Sequence, residues 1–122
     1  MKLGEVISTV EGTLLFDADL NVEVPCGGAA DLMSDVLALA EPGCVLLTGL
    51  CNPQVVRTVE MADMVAIIFV RGKHPPPETV ALAKEKGIPA ATSPHTMFEM
   101  CGRLYGAGLR GCDISGRIDL VR

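Results

Sequence analysis

The sequence predicts an α/β domain in which helices flank a mainly parallel sheet. From residue 44 onward, short apolar runs of strand length alternate with longer stretches that have helical spacing. The runs are continuously apolar, as in strands that are buried on both faces of a parallel sheet. Aromatic residues make up only 3% of the chain, so an aliphatic α/β core is favoured over an aromatic-rich β-sandwich. We expect residues 1–122 to form one such domain.

The first part of the chain predicts a helix, two short strands and a second helix. The segment "KLGEVISTVEG" places apolar residues at helical spacing, and Gly12 follows as a helix stop. "TLLF" (13–16) and "NVEV" (21–24) predict strands that a turn connects. The segment "CGGAADLMSDVLALAEPG" predicts a glycine pair followed by a helix around residues 31–40.

The remaining chain predicts a regular succession of strands and helices. Strands are predicted at 44–50, 64–70 and 88–93, and helices at 52–63, 75–87 and 95–108. Asn52 is predicted as an N-cap, with Pro53 in the first helical position. The tail at 112–122 is expected either to add an edge strand or to pack against a partner.

Charge and hydropathy exclude several classes of function. The formal net charge is −5, whereas a protein that binds nucleic acid or an anionic membrane needs a basic surface. No apolar run approaches the length of a membrane span, and the acidic N-terminal segment does not resemble a signal peptide. We therefore expect a cytoplasmic protein with no nucleic-acid or membrane partner.

The cysteine pattern predicts no standard metal or disulfide framework. Five cysteines cannot all pair within one chain, and no C-x-x-C motif is present. Their spacings match no common zinc or iron–sulfur pattern, so thiols buried as small hydrophobic groups are the favoured interpretation and no metal is assigned. A redox or metal site assembled in space is kept as an alternative. The cysteines are Cys26, Cys44, Cys51, Cys101 and Cys112.

Candidate binding residues follow the predicted strands, because ligands of open parallel sheets bind beyond the carboxyl ends of the strands. Two of these ends lead directly into helices, whose N-termini attract anions. Arg71 and Lys73 add positive charge, so the sequence predicts a site for a phosphate or an adenine nucleotide. The candidates are Thr48, Gly49, Asn52, Arg71, Gly72, Lys73, Thr92, Ser93, His95 and Thr96.

Each candidate also has a purely structural interpretation. Asn52-Pro53 and Ser93-Pro94 are ordinary helix starts, and Thr96 with Glu99 fits a capping box. His74 and His95 are each more typical of surface or capping histidines than of catalysts. The structural interpretation is favoured for both histidines.

No catalytic constellation is visible in the sequence. The glycine pair at residues 27–28 belongs neither to a Walker A loop nor to a G-x-G-x-x-G motif. Asp31 and Asp35 are spaced to share a helix face, which is more typical of a solvated edge than of a metal site. We therefore expect a protein that is not an enzyme, and an enzyme that uses His95 as an acid–base is the least favoured alternative.

The stretch from "TGLCNPQ" (48–54) to "CGRLY" (101–105) resembles the DRTGG domain. The similarity lies in a strand that ends in Thr-Gly, an apolar strand, a Pro-Glu helix and then "GIP" before another short strand. "GIPAATSPHTMFEM" (87–100) is its most specific part. "KLGEVISTVEGTLL" and "GGAADLMSDVLA" extend the resemblance over nearly the whole chain.

The resemblance implies a fold similar to the N-terminal domain of HPr kinase/phosphorylase, which has no kinase activity of its own. Related domains are regulatory, mediate dimerisation and lie beside adenine-nucleotide sites in some phosphotransacetylases and pyrophosphatases. Free-standing versions occur near hydrogenase subunits in anaerobes. The resemblance thus implies a homodimer that modulates a metabolic or hydrogenase-type redox complex.

This chain departs from the family pattern at two places. Leu50-Cys51 stands where many members have Asp-Arg, and Val70-Arg71-Gly72 stands where Thr-Gly-Gly is common. A function that requires the Asp-Arg pair therefore cannot be carried over. The positions that match, as candidate binding residues, are Thr48, Gly49, Gly72, Thr92 and Thr96.

Three functions thus compete at this point: a non-catalytic regulatory or interaction domain, an adenine-nucleotide sensor, and a cysteine-based redox or metal protein. The regulatory domain is favoured. No cofactor is assigned with certainty, and an adenine nucleotide is the candidate ligand.

Overall fold

The computed structural model describes residues 1–115. In this part of the chain, helices and strands mostly alternate. The helices are α1 (Leu3–Thr9), α2 (Met33–Leu39), α3 (Pro53–Met61), α4 (Pro77–Glu85) and α5 (Met97–Gly106). The strands are β1 (Thr13–Leu14), β2 (Cys26–Ala29), β3 (Val45–Thr48), β4 (Ala66–Phe69), β5 (Ala90–Thr92) and β6 (Arg110–Gly111).

The six strands form one sheet in the order β1-β5-β4-β3-β2-β6. Strand β1 pairs antiparallel with β5, and all other neighbours are parallel. The register aligns Thr48 of β3 with Phe69 of β4, and Phe69 with Thr92 of β5. The carboxyl ends of the three central strands therefore meet at one edge of the sheet.

Apolar side chains on the central strands alternate between the two faces of the sheet. Val45 and Leu47 pack against α1 and α5, whereas Leu46 packs among the residues of α2, α3 and α4. Every residue of β3 and β4 is buried, as expected for parallel strands covered on both sides. The predicted fold class, a mainly parallel sheet flanked by helices, is confirmed.

The helices and the central strands lie where the sequence predicts them, with shifts of a few residues at their ends. Asn52 caps α3 as predicted: its side chain accepts a hydrogen bond of 3.1 Å from the Gln54 N–H, and Pro53 is the first helical residue. Within residues 1–115, no helix combines the length and apolar character needed to span a bilayer.

The N-terminal strand predictions were partly wrong. Residues 21–24 form no strand and contribute only an isolated bridge between Lys2 and Glu23. Only Thr13 and Leu14 of the predicted strand at 13–16 belong to β1. The apolar Val24 is buried without strand pairing, which explains why hydrophobic pattern alone misplaced this segment.

The glycine pair belongs to a strand, β2, and not to a helix start. A Cβ on Gly27 would lie 3.1 Å from a methyl group of Leu109, so the missing side chain permits close packing there. Because glycine is uncommon in strands, the hydrophobic pattern did not predict β2. The tail at 112–122 was predicted either to add an edge strand or to pack against a partner, and β6 at 110–111 forms the edge of the sheet just before it. Residues 112–115 form no strand, and residues 116–122 lie outside the described part.

Candidate functional site

The predicted site residues follow β3, β4 and β5 and therefore lie along one edge of the sheet. A further residue, Asp31, joins them. Its Oδ1 accepts hydrogen bonds from the Thr48 hydroxyl at 3.0 Å and from the Gly49 N–H at 2.7 Å. The carboxylate thus anchors the end of β3 to the segment between β2 and α2.

The position of Asp31 differs from the sequence prediction, which placed Asp31 and Asp35 on one face of a helix. Helix α2 begins at Met33, two residues after Asp31, so the two carboxylates do not share a helical face. The signal that would have found Asp31 is its position just beyond the carboxyl end of β2. That signal was lost because β2 was not recognised as a strand.

Lys73 links the ends of β3 and β5. Its Nζ donates a hydrogen bond of 2.8 Å to the Gly49 carbonyl, and its own carbonyl accepts one of 2.8 Å from the Thr92 hydroxyl. Thr48, Gly49, Lys73 and Thr92 therefore form one connected network with Asp31. The two threonine hydroxyls are both occupied by bonds within the protein.

Arg71 and Gly72 form a left-handed turn directly after β4, with φ angles of 58° and 66°. The Arg71 N–H donates to the His95 carbonyl at 2.8 Å, and the Gly72 N–H donates to the Ser93 carbonyl at 2.6 Å. These bonds hold the β4–α4 loop against the β5–α5 loop. The Arg71 side chain is exposed, and no hydrogen bond or ion pair to its guanidinium is found within residues 1–115.

Ser93 and His95 hold the loop before α5 against the end of α1. The fully buried Ser93 hydroxyl donates a hydrogen bond of 2.7 Å to the Val10 carbonyl. His95 Nε2 lies 2.7 Å from an oxygen of Glu11. This hydrogen bond, together with the charge of Arg103, lowers the pKa of the Glu11 carboxyl.

The two remaining candidates are helix caps. Asn52 caps α3, and the Thr96 hydroxyl accepts a hydrogen bond of 3.3 Å from the Glu99 N–H at the start of α5. Both side chains satisfy backbone donors that a helix start leaves unpaired. The structural interpretation of these residues therefore accounts for the bonds they make.

Four of the clefts within residues 1–115 are lined by none of the ten candidates. One of about 690 Å³ lies at the opposite edge of the sheet, where Gly43, Met64 and Ile88 precede the central strands. A second cleft of about 240 Å³ lies beside β2 and is lined by Met64 and Cys112. The polar network at the strand ends is therefore not part of these clefts.

Three of the five cysteines converge beside β2, which the sequence spacings did not predict. Cys26 and Cys44 form a disulfide, and Cys112 has its sulfur 3.4 Å from that of Cys44. The interpretation of all cysteines as buried thiols is therefore wrong for Cys26 and Cys44. Cys51 and Cys101 remain thiols, and burial raises the pKa of both.

Comparison with known proteins shows similarity of fold. No family model matches the chain, and no curated protein sequence matches it. A solved structure of the CBS and DRTGG domains of the regulatory region of Clostridium perfringens pyrophosphatase, in complex with the activator diadenosine tetraphosphate, is similar with a TM-score of 0.65 and 15% identity. The match covers 84% of this chain and 45% of that one, so the chain spans about half the length of its structural neighbour. In its fold, this protein is similar to part of the CBS and DRTGG region of that pyrophosphatase.

Proposed function

We propose that this protein is a non-catalytic regulatory domain that acts as a homodimer, with α5 as the surface through which two copies associate. The observation that carries the proposal is an apolar face of α5 that its own core leaves uncovered. Phe98 is 89% exposed and Tyr105 is 75% exposed, the two largest exposures among the large hydrophobic side chains of residues 1–115.

The two aromatic residues share one face of the helix because they are seven residues, or two turns, apart. Gly102 lies between them on the same face, and a Cβ added there would meet nothing within 4 Å. Met100 and Leu104 on the opposite face are buried against the sheet. One side of α5 therefore builds the core, and the other offers two aromatic rings separated by a flat glycine surface.

This face is complementary to itself. If two α5 helices pack antiparallel about a two-fold axis near Gly102, Phe98 of each copy meets Tyr105 of the other, as an isologous contact requires. Glu99 and Arg103 flank the stripe, and the same axis brings each Glu99 close to the Arg103 of the second copy. Small residues at the crossing point let the helix backbones approach closely. A second copy of this chain is therefore the occupant that the face fits.

The polar network at the strand ends supports a regulatory role over catalysis. Thr48, Thr92 and Ser93 have hydroxyls that are buried and engaged by internal partners. The His95 ring is paired with Glu11 at the surface, and within residues 1–115 no nucleophilic side chain is hydrogen-bonded to that ring. The Ser93 hydroxyl accepts a hydrogen bond of 3.2 Å from the backbone N–H of His95. A domain of this kind acts on a separate enzyme, and the family resemblance favours a metabolic or hydrogenase-type redox complex.

Sedimentation velocity at micromolar concentration tests the proposal. We expect the unmodified protein to sediment as a dimer and Phe98→Ser to sediment as a monomer, because the substitution removes apolar area that only the dimer buries. Met61→Ser is the matched control, since Met61 is 65% exposed on α3 and should leave the dimer intact. A monomeric unmodified protein, or a dimeric Phe98→Ser variant, contradicts the proposed interface.

A second candidate function, adenine-nucleotide sensing, rests on the exposed Arg71 guanidinium beside the strand ends. Burial has the largest effect on the Cys51 thiol after β3 and raises its pKa, whereas the charge of Lys73 lowers that pKa, Asp31 raises it and Arg71 lowers it. Two cations and one carboxylate therefore lie near one strand end in a chain of net charge −5. The structural neighbour holds a nucleotide activator with an anionic polyphosphate, and a similar ligand is the candidate here.

Thermal shift with diadenosine tetraphosphate and AMP tests this second candidate. A ligand that binds only the folded protein raises the melting temperature with concentration. Arg71→Asn removes the cation while keeping a residue type that accepts the left-handed turn, and it should abolish the shift. Arg57→Asn, an exposed position on α3, is the control. No shift in the unmodified protein, or an unchanged shift in Arg71→Asn, rules out this site without affecting the dimer proposal.

A further inference from the structure

We propose that Cys26, Cys44 and Cys112 form a thiol–disulfide exchange site, in which Cys112 connects a buried disulfide to small thiols in solution. The three sulfurs lie within 4.8 Å of one another. They come from three separate parts of the chain, so the fold and not a local motif creates the cluster. The inference goes beyond the proposed regulatory function and does not depend on it.

The sheet brings these residues together by register. Gly27 of β2 pairs with Val45 of β3, which places Cys26 opposite Cys44 with their Cα atoms 4.6 Å apart. This separation is within the range that a disulfide bridges. On the other side of β2, Gly27 pairs with Gly111 of β6, so Cys112 emerges beside the same position.

The third sulfur lies over β2. A Cβ on Gly28 would lie 3.5 Å from the sulfur of Cys112, an ordinary van der Waals distance, so this thiol packs directly against the strand. The Cys112 thiol is 3.4 Å from the sulfur of Cys44 and 3.8 Å from the Gly27 carbonyl. The segment is held by Glu41, which pairs with Arg110 at 2.7 Å and accepts from the Asp113 N–H at 3.0 Å.

The exposure of Cys112 distinguishes it from the two disulfide-bonded cysteines. Cys26 and Cys44 are both 0% exposed, whereas Cys112 is partly exposed and lines the cleft of about 240 Å³ beside β2. A thiol from solution therefore reaches Cys112 first and is kept from the disulfide itself. Because Cys26 and Cys44 are bonded to each other, the cluster offers one free thiol, which suits exchange rather than metal binding.

The exchange needs no external oxidant. The Cys112 thiolate attacks the sulfur of Cys44, a Cys44–Cys112 bond forms, the Cys26–Cys44 bond breaks, and Cys26 leaves as a thiolate that takes up a proton. Two molecules of a small thiol then complete a reduction. The first attacks Cys112 to form a mixed disulfide and releases Cys44 as a thiol, and the second attacks the mixed disulfide, releasing Cys112 as a thiol and the oxidised thiol dimer.

The rate at which glutathione reduces the disulfide tests this role of Cys112. The protein is oxidised with diamide, and the Cys26–Cys44 bond is identified by peptide mass spectrometry. Glutathione is then added, and samples are quenched with an alkylating agent. We expect Cys112→Ser to slow the reduction by at least about tenfold, since a hydroxyl cannot carry out the exchange. Cys101→Ser and Cys51→Ser, which alter thiols outside the cluster, should not change the rate.

Two further measurements keep the test independent of folding. In concentrated guanidinium chloride, all variants should be reduced at the same rate, because the burial that protects the bond is gone. In Cys26→Ser, oxidation should yield the Cys44–Cys112 disulfide, which is the trapped exchange product. The proposal is overturned if no Cys26–Cys44 bond forms, if Cys112→Ser is reduced as fast as the unmodified protein, or if Cys44 stays a free thiol in oxidised Cys26→Ser.

Discussion

Asp31 lies outside every helix and strand, yet its carboxylate accepts a hydrogen bond of 3.0 Å from the fully buried Thr48 hydroxyl at the end of β3. It also accepts one from the Gly49 N–H, whose carbonyl is bonded to Lys73. One exposed side chain thereby orders the edge of the sheet where the candidate binding residues lie. The bond pairs two residues that are 17 positions apart in the chain.

Replacing Asp31 tests whether this anchor stabilises the fold. Asp31→Ala leaves the Thr48 hydroxyl and the Gly49 N–H without their acceptor, and we expect a loss of about 1–2 kcal/mol in the free energy of unfolding. Water can partly replace the exposed carboxylate, which keeps the loss below that of a fully buried pair. Urea unfolding gives the value. Asp35→Ala on α2 is the matched control, and a loss as large as that of Asp31→Ala would contradict the anchoring role.

Two buried threonines should respond differently to replacement by valine. The Thr79 hydroxyl donates a hydrogen bond of 2.8 Å to the Cys51 carbonyl, so Thr79→Val should destabilise the protein by about 1 kcal/mol. The Thr58 hydroxyl is buried and has no hydrogen-bond partner within residues 1–115. Thr58→Val removes an unsatisfied polar group at nearly constant shape, and it should leave stability unchanged or raise it.

Urea unfolding of both valine variants under one set of conditions gives the comparison. Each substitution is the control for the other, because both lie on a helix facing the same core. A loss for Thr58→Val as large as that for Thr79→Val would show that the Thr58 hydroxyl makes a bond that the structure lacks.

Glu11 should make stability depend on pH in the acid range. The hydrogen bond to His95, followed by the charge of Arg103, lowers the pKa of Glu11 in the folded state. A carboxyl with a lowered folded pKa contributes stability above its unfolded pKa and loses that contribution as the pH falls through the folded pKa. The stability difference between the unmodified protein and Glu11→Gln should therefore shrink as the pH drops below about 4.3.

Urea midpoints measured from neutral pH to about pH 3 follow this dependence. Glu78→Gln is the control, because Glu78 is exposed on α4 and has no ion pair within residues 1–115. A difference between the unmodified protein and Glu11→Gln that stays constant over this range would show that the Glu11–His95 contact does not form in solution.

The accuracy of the sequence prediction followed the strength of local signals. Strand β4 is wholly apolar, β3 is apolar up to its last residue, Thr48, and α3 carries an Asn cap and a Pro at its first position, so pattern and capping suffice to place them. Strand β2 has a glycine pair at its centre, and its identity as a strand comes from pairing with β3 and β6. Such pairing is a tertiary effect that propensity does not contain.

The site could be predicted only as a set of neighbouring strand ends. Thr48 and Thr92 were placed at one edge because parallel strands align their carboxyl ends. The Thr48 hydroxyl bonds to Asp31, and the Thr92 hydroxyl bonds to the Lys73 carbonyl. The positions of these two acceptors depend on the paths of loops, which the hydrophobic periodicity of the sequence does not encode. The meeting of Cys44 with Cys112, 68 positions away, depends likewise on the position of β6 in the sheet.

Sedimentation velocity of Gly102→Leu tests most directly whether two copies associate through α5. The space around Gly102 is open in the single chain, and leucine favours a helix by about 1 kcal/mol over glycine. The variant should therefore keep its fold, as followed by circular dichroism, yet sediment as a monomer, because the side chain separates the two helices. Ala81→Leu, at an exposed position on α4, should remain a dimer. A Gly102→Leu dimer as stable as that of the unmodified protein would show that the two copies do not associate through this face of α5.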